Sequence, residues 1–129
     1  MSLNGYATYK TASTQTGDSR DVEYRLLAQV TSALIQARDD INNVKKRCEA
    51  AAWNRDVWAA LRTDLTDESN RLPRELRASL ISVSLWIEKE TFAVMDNTGD
   101  IDALIDVNRN IMAGLKPDLH EDPAAAQQS

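Results

Sequence analysis

The sequence predicts an all-α protein: a small antiparallel bundle of four to five helices with an extended N-terminal arm and a disordered C-terminal tail. Apolar residues recur at steps of three and four through most of the chain, which is the period of one helix face. Four glycines, three prolines and an aromatic content of 5% are too few for the turns and ring side chains of a β-sandwich or barrel. A hydrophobic fraction of 43% is enough to build a packed core.

Length and charge restrict the class of protein. The 129 residues fit one domain. A net charge of −5 argues against a protein that binds nucleic-acid duplexes, because phosphate affinity comes mainly from clustered Lys and Arg. The single cysteine, Cys48, cannot form an internal disulfide, and no segment resembles a signal peptide or a membrane span. We therefore expect a soluble cytoplasmic protein that does not enter a membrane.

The two ends of the chain are predicted to lie outside the bundle. Residues 1–18 are rich in Ser and Thr, which disfavour helix, and they form the predicted arm. Tyr6 and Tyr9 are large apolar side chains of this arm, and we expect them to dock on another surface. Residues 19–116 form the predicted bundle domain, and the polar residues 117–129 form the predicted disordered tail.

The first helix is predicted to start near residue 19 or 20, where Asp18 or Ser19 can cap its free amides. Residues 39–43 are poor helix formers, and we favour a break there. The apolar stripe before and after this break contains Leu27, Val30, Leu34, Ala37, Ile41, Val44 and Cys48. The stripe of the second helix, which ends at a polar loop of residues 66–70, contains Trp53, Val57, Leu61 and Leu65.

The third helix is predicted to have Pro73 in its first turn, where a missing amide costs nothing, and to run to about Asp96. Its apolar residues cover much of its circumference, which predicts a central position in the bundle. These residues include Leu76, Leu80, Ile81, Val83, Leu85, Trp86 and Ile87.

A stop signal and a cap separate the third helix from the fourth. In the segment Asn97-Thr98-Gly99, Gly99 is expected to adopt the left-handed conformation that ends a helix. Asp100 is expected to cap the fourth helix, which ends before Lys116-Pro117. The stripe of this helix contains Ile101, Leu104, Ile105, Asn108, Ile111, Met112 and Leu115.

The side chains that most enzymes need are nearly absent. The single histidine, His120, lies in the predicted tail, which excludes a catalytic triad or a histidine-rich zinc site. The glycines are too far apart to form a phosphate-binding loop. Cys48 lies on an apolar stripe and is interpreted as a core residue rather than a reactive thiol. We therefore predict no enzymatic activity, no catalytic residues, no cofactor and no metal.

The tryptophans allow two interpretations. Trp53 and Trp58 are five residues apart, which places their rings about 140° apart around a helix axis. Both rings and Trp86 can be core residues, or one of them can line a groove for a partner, because tryptophan is enriched at binding hot spots. Arg55 lies either on a solvated face or in a buried pair with an acid or with helix C-terminal carbonyls.

Several ordered blocks of the chain carry a resemblance to a known family. The blocks are YATYKTASTQT (6–16), RDVEYRLL (20–27), WNR (53–55) with Trp58, DL (64–65), NRLP (70–73), LRA (76–78), LISVSLW (80–86) and LIDVNRNIMAGL (104–115). In this order they resemble the FlaF family of flagellar biosynthesis regulators over residues 5–115. The resemblance implies a cytoplasmic protein of alphaproteobacterial type that is needed for flagellin production and acts after transcription, beside the FlbT regulator. It supplies no catalytic residues.

The first functional hypothesis is a protein that binds flagellin as a secretion chaperone. Unassembled flagellin has termini that are apolar on one helical face, and a helical bundle with an apolar channel can cover them. The candidate contact or groove-forming residues are Tyr6, Tyr9, Leu27, Trp53, Asn54, Arg55, Trp58 and Trp86.

Two alternatives stay open. The first is a post-transcriptional regulator of flagellin mRNA translation, acting directly or through FlbT. Arg71, Arg74 and Arg77 could line one helix face for RNA, although the acidic balance disfavours direct RNA binding. The second is a homodimeric adaptor that covers surplus apolar residues with a second copy, and the sequence leaves the oligomeric state open.

Overall fold

Four α-helices make up residues 19–115, the part of the chain that a computed structural model describes, and this part contains no strand. Helix α1 is Ser19–Asp39, α2 is Val44–Leu65, α3 is Arg74–Met95 and α4 is Ile101–Leu115. The predicted all-α class is confirmed, with four helices. The predicted arm with Tyr6 and Tyr9 and the predicted tail lie outside the described residues.

The helices pack as antiparallel neighbours. Helix α1 packs against α2 and α4, and α3 packs mainly against α2. The Thr31 hydroxyl lies 3.8 Å from Met112 Sδ, while Arg38 Nη1 lies 3.0 Å from Asp102 Oδ1. Residue numbers therefore rise along α1 as they fall along α4.

The break between α1 and α2 is confirmed at residues 40–43. Asn43 caps α2: its Oδ1 accepts a hydrogen bond from the Lys46 amide at 3.0 Å. Its Nδ2 donates to Asp40 Oδ2 at 3.1 Å. These short polar side chains satisfy the free amides of a new helix start better than they support a continuous helix.

Side-chain hydrogen bonds shape the loop between α2 and α3. The backbone amide and the hydroxyl of Ser69 donate to Asp67 Oδ1 at 2.8 and 2.7 Å, which lowers the pKa of Asp67 below its usual value. Pro73 occupies the N-cap position, with φ −54° and ψ 142°, rather than the first turn of α3. Pro73 therefore lies one residue before the predicted position in the helix. The proline ring also fits the extended residue that precedes a helix.

The turn between α3 and α4 corrects the role predicted for Gly99. The left-handed residue is Asn97, with φ 65°, and the amides of Asn97 and Thr98 donate to Val94 O and Ala93 O, as in a Schellman motif. Gly99 is needed for space: a Cβ at this position would lie 2.8 Å from the Val94 backbone nitrogen. Asp100 is confirmed as the cap of α4, since its Oδ1 accepts from the Asp102 amide at 2.9 Å.

The hydrophobic core is built mainly from α1 and α2, and the expectation that the third helix is central is wrong. Helix α3 buries only four side chains, all from its eleventh residue onward: Ser84, Ile87, Thr91 and Val94. Helix α2 buries Ala50, Ala51, Asn54, Val57, Trp58 and Leu65. Since α2 supplies most of the packing against α3, much of the apolar circumference of α3 stays uncovered within the described chain.

Candidate protein-interaction surface

A buried polar cluster joins three helices and takes two of the sequence candidates into the core. Trp58 Nε1 donates to Asn108 Oδ1 at 2.8 Å. Asn108 Nδ2 donates to Asn54 Oδ1 at 2.8 Å and to Thr31 Oγ1 at 3.1 Å. All four side chains are buried. In this conformation Asn54 and Trp58 link α2 to α4 through Asn108, which also reaches Thr31 of α1, and they offer no surface to a partner.

Leu27 is also fully buried, as a member of the hydrophobic core. The structure thus places three of the sequence candidates, Leu27, Asn54 and Trp58, inside the bundle. These buried side chains can stabilise the helices that carry a docking surface, but they cannot contact a partner in this conformation.

Trp53 lies half-buried on the side of α2 that faces α1. It lines a recess of about 350 Å³ together with Ala33, Gln36, Lys46, Glu49 and Ala50. Its Nε1 is buried and has no hydrogen-bond partner within the described residues. One part of the Trp53 ring therefore packs against the core, and another part lines this shallow recess.

Arg55 packs on an aromatic ring instead of entering a buried ion pair. Its guanidinium carbon lies 5.6 Å from the centre of the Phe92 ring on α3, a cation–π distance. Arg55 Nε is 3.9 Å from Asp56 Oδ1, and both side chains are partly exposed. Arg55 and Phe92 thus form one continuous patch across α2 and α3.

Helix α3 carries most of the exposed large apolar side chains. The exposed fractions are 45% for Leu76, 53% for Leu85, 39% for Trp86 and 56% for Phe92. Within the described residues only two other large apolar side chains are exposed to this extent, Ile41 and Val44 at the α1–α2 connection. We call Leu76, Leu85, Trp86 and Phe92 the α3 surface. At about 100° per residue Leu85 and Phe92 lie on one side of α3, Trp86 lies about 100° from Leu85, and Leu76 lies on the opposite side. Exposed apolar residues that share one side of a helix are typical of binding sites.

Of these four residues, the sequence predicted a partner contact for Trp86 but not for Leu76, Leu85 or Phe92. Apolar residues cover much of the circumference of α3, and this pattern predicted a central position in the bundle rather than a binding surface. A second apolar stripe, on the side of α3 opposite the core-facing stripe, indicates an exposed binding surface equally well.

One side of α3 carries a regular row of residues. At about 100° per residue, Arg74, Arg77, Ile81, Leu85, Glu88 and Phe92 fall on one stripe, separated by steps of three and four. We call this stripe the outer row. Glu88 Oε2 accepts a hydrogen bond from Arg62 Nη1 of α2 at 3.0 Å, on the flank where Arg55 covers Phe92. The outer row therefore contacts α2 at Glu88 and Phe92.

Within residues 19–115 there is no cluster of three or more His, Cys, Asp or Glu side chains placed to hold a metal ion. His120 lies outside this range. None of the four described helices has the length and apolarity to cross a bilayer.

A family comparison matches most of the chain. A family model described as flagellar protein FlaF matches residues 6–115, which include all four helices. The chain belongs to the FlaF family. FlaF membership makes this a flagellum-related protein, and the α3 surface lies wholly within the FlaF match. No curated protein sequence and no solved structure matches this FlaF chain significantly.

Proposed function

We propose that this FlaF chain binds flagellin and acts as its secretion chaperone, with the α3 surface as the docking site. The supporting observation is that α3 exposes Leu76, Leu85, Trp86 and Phe92 while the core is closed without them. Large apolar side chains that the chain itself does not cover are available to another polypeptide.

The chemistry of unassembled flagellin suits such a surface. Its terminal segments are apolar on one helical face and tend to polymerise early when uncovered. A helix that docks on an apolar channel presents anchors at i, i+3, i+4 and i+7. Leu85 and Phe92 share one side of α3 and lie about 10 Å apart along its axis, enough for two turns of a partner helix.

The buried candidates support this surface indirectly. The cluster of Asn54, Trp58 and Asn108 fixes α2 relative to α1 and α4, and α2 in turn carries α3. A rigid platform lowers the entropy lost on binding. Tyr6 and Tyr9, outside the described residues, stay proposed contacts.

Calorimetry tests the proposal with the full-length chain and each flagellin of the same cell in monomeric form. We expect at least one flagellin to bind with a Kd at or below the micromolar range, about −8 kcal/mol or more favourable. Assembled filaments, in which the terminal helices are already paired, serve as the control and should not bind. Failure of every monomeric flagellin to bind at micromolar concentration would reject the proposal.

The second candidate is control of flagellin mRNA translation, directly or through FlbT. One observation favours a direct route: Arg71, Arg74 and Arg77 form no ion pair within the described part of the chain. The net charge of −5 opposes it. A gel shift with the flagellin mRNA leader that weakens steeply with salt would favour direct RNA binding. No shift at low salt would leave only a route through a protein partner.

A further inference from the structure

The first ten residues of α3 contribute little to the core, since among them only the half-buried Val83 packs against it. Residues 74–83 include no buried side chain, and burial on this helix starts at Ser84. Leu76 is exposed, while Leu80 and Ile81 are half-buried. A helix segment of about ten residues is marginal in water without tertiary packing. Residues 74–83 therefore make few stabilising contacts within the described chain, and a partner could supply further contacts.

Charge is distributed unevenly along the outer row. The row and the α2 side chains against it carry Arg74, Arg77, Arg62 and Arg55, while the nearby acids are Glu88 on the row, Asp56 beside Arg55 and Glu75 in the first turn of α3. Arg62 pairs with Glu88 and Arg55 stacks on Phe92, so the basic groups at the C-terminal end are engaged. A local basic excess on a chain of net charge −5 is a feature that an acidic partner would recognise.

The unengaged basic groups lie at the other end. The guanidinium groups of Arg74 and Arg77 have no ion pair within the described chain, and Arg77 Nε is buried without a hydrogen-bond partner. The free amides of the α3 N-terminus add positive potential at the same place. The outer row is thus basic at its start and apolar from Ile81 to Phe92.

We propose that the outer row accepts an amphipathic helix of a protein partner whose apolar residues pack on Ile81, Leu85 and Phe92 and whose carboxylates face Arg74 and Arg77. This inference rests on the proposed function and specifies the flagellin segment that would dock. Arg74 lies about 10 Å along the helix from Ile81, so the acidic residues should precede or follow the first apolar anchor by one to two turns.

A polypeptide fits the row better than a lipid surface or RNA does. Ile81, Leu85 and Phe92 repeat at the spacing by which one helix meets another. Free basic charge is confined to one end of the row, whereas a polyanion is held by positive charge along its whole length. The chain as a whole is acidic and would be repelled by an anionic membrane.

Charge reversal tests the inference. The variant Arg74→Glu/Arg77→Glu should lower the affinity for the docking flagellin by about tenfold or more, because two opposed contacts become like-charge contacts. Wild-type affinity should fall with added salt, and the variant should lose most of this dependence. Lys45→Glu/Arg109→Glu is the control, since it makes the same charge change at exposed positions of α2 and α4. Circular dichroism should show the same helix content for all three proteins.

Two synthetic peptides of about 21 residues separate this inference from the identity of the partner. Both carry one apolar heptad pattern, and the first two turns are rich in Glu in one peptide and in Lys in the other. The full-length chain should bind the Glu peptide at least tenfold more tightly, and Arg74→Glu/Arg77→Glu should reverse the preference. If flagellin fails to bind but the Glu peptide behaves as stated, the inference stands and the flagellin proposal fails.

Three results would overturn the inference. In the first, charge reversal at Arg74 and Arg77 leaves the affinity for flagellin unchanged. The proposed function would then stand, and the inference of an acidic partner helix would fail. The two peptides could bind equally. Vesicles of phosphatidylglycerol or the flagellin mRNA leader could bind in an Arg74-dependent manner while neither peptide does, which would assign the basic end of the row to a polyanion.

Discussion

Replacing Asn108 with alanine is expected to lower the free energy of unfolding by about 3–5 kcal/mol, a large part of the stability of a domain this size. The substitution removes the acceptor of Trp58 Nε1 and the donor that reaches Asn54 Oδ1 and Thr31 Oγ1. All of these atoms belong to buried side chains, so water cannot replace the lost partner without a rearrangement. Urea denaturation followed by circular dichroism measures the loss.

Asn110→Ala is the matched control, because Asn110 lies on the same helix with its side chain exposed. It should change the free energy of unfolding by less than about 0.5 kcal/mol. The indole N–H of Trp58 should also exchange faster with solvent in Asn108→Ala. A loss below about 1 kcal/mol in that variant would contradict the role assigned to the cluster.

The double substitution Leu85→Ala/Phe92→Ala is expected to weaken flagellin binding by about a hundredfold or more while costing little stability. Both side chains are more than half exposed, so truncation removes little buried area and the Arg55 contact, worth about 0.5–1 kcal/mol. In the complex the same side chains would lie at the centre of the interface, where truncation of anchors costs about 2 kcal/mol or more each. Calorimetry gives the affinity and urea denaturation the stability.

Ile41→Ala/Val44→Ala is the matched control for this prediction. These side chains are similarly or more exposed but lie outside α3, Ile41 in the break between α1 and α2 and Val44 at the start of α2. Their truncation should leave flagellin affinity within about twofold of the wild type. Equal loss of affinity in the two double variants would mean that binding follows general apolar exposure and not the α3 surface.

Helix boundaries were the most predictable part of the structure, because they depend on local chemistry. The break at residues 39–43 followed from Asp and Asn side chains that compete for backbone groups, and Asn43 does so. Asp100 was recognisable as a cap for the same reason. The left-handed conformation predicted for Gly99 was wrong. The sequence does not distinguish a glycine that needs a positive φ from one at which a Cβ atom would clash.

The positions of the helices relative to one another were less predictable. The sequence shows that α3 is apolar around its axis, but only the structure shows that α2 supplies most of the packing against it. The predicted apolar stripe of the fourth helix contained Asn108, and the structure buries this polar side chain with hydrogen-bond partners. Its partners Asn54 and Trp58 could not be identified, because they lie on another helix far away in sequence.

Hydrogen exchange of the full-length chain, alone and saturated with a flagellin that binds it, tests most directly whether α3 is the docking helix. We expect the largest gain in protection in residues 74–92, greatest in residues 74–83, where no side chain is buried in the free protein. The α1–α2 connection, with Ile41 and Val44, should exchange at an unchanged rate. Protection confined to that connection or to the Trp53 recess, with α3 unaffected, would contradict the account.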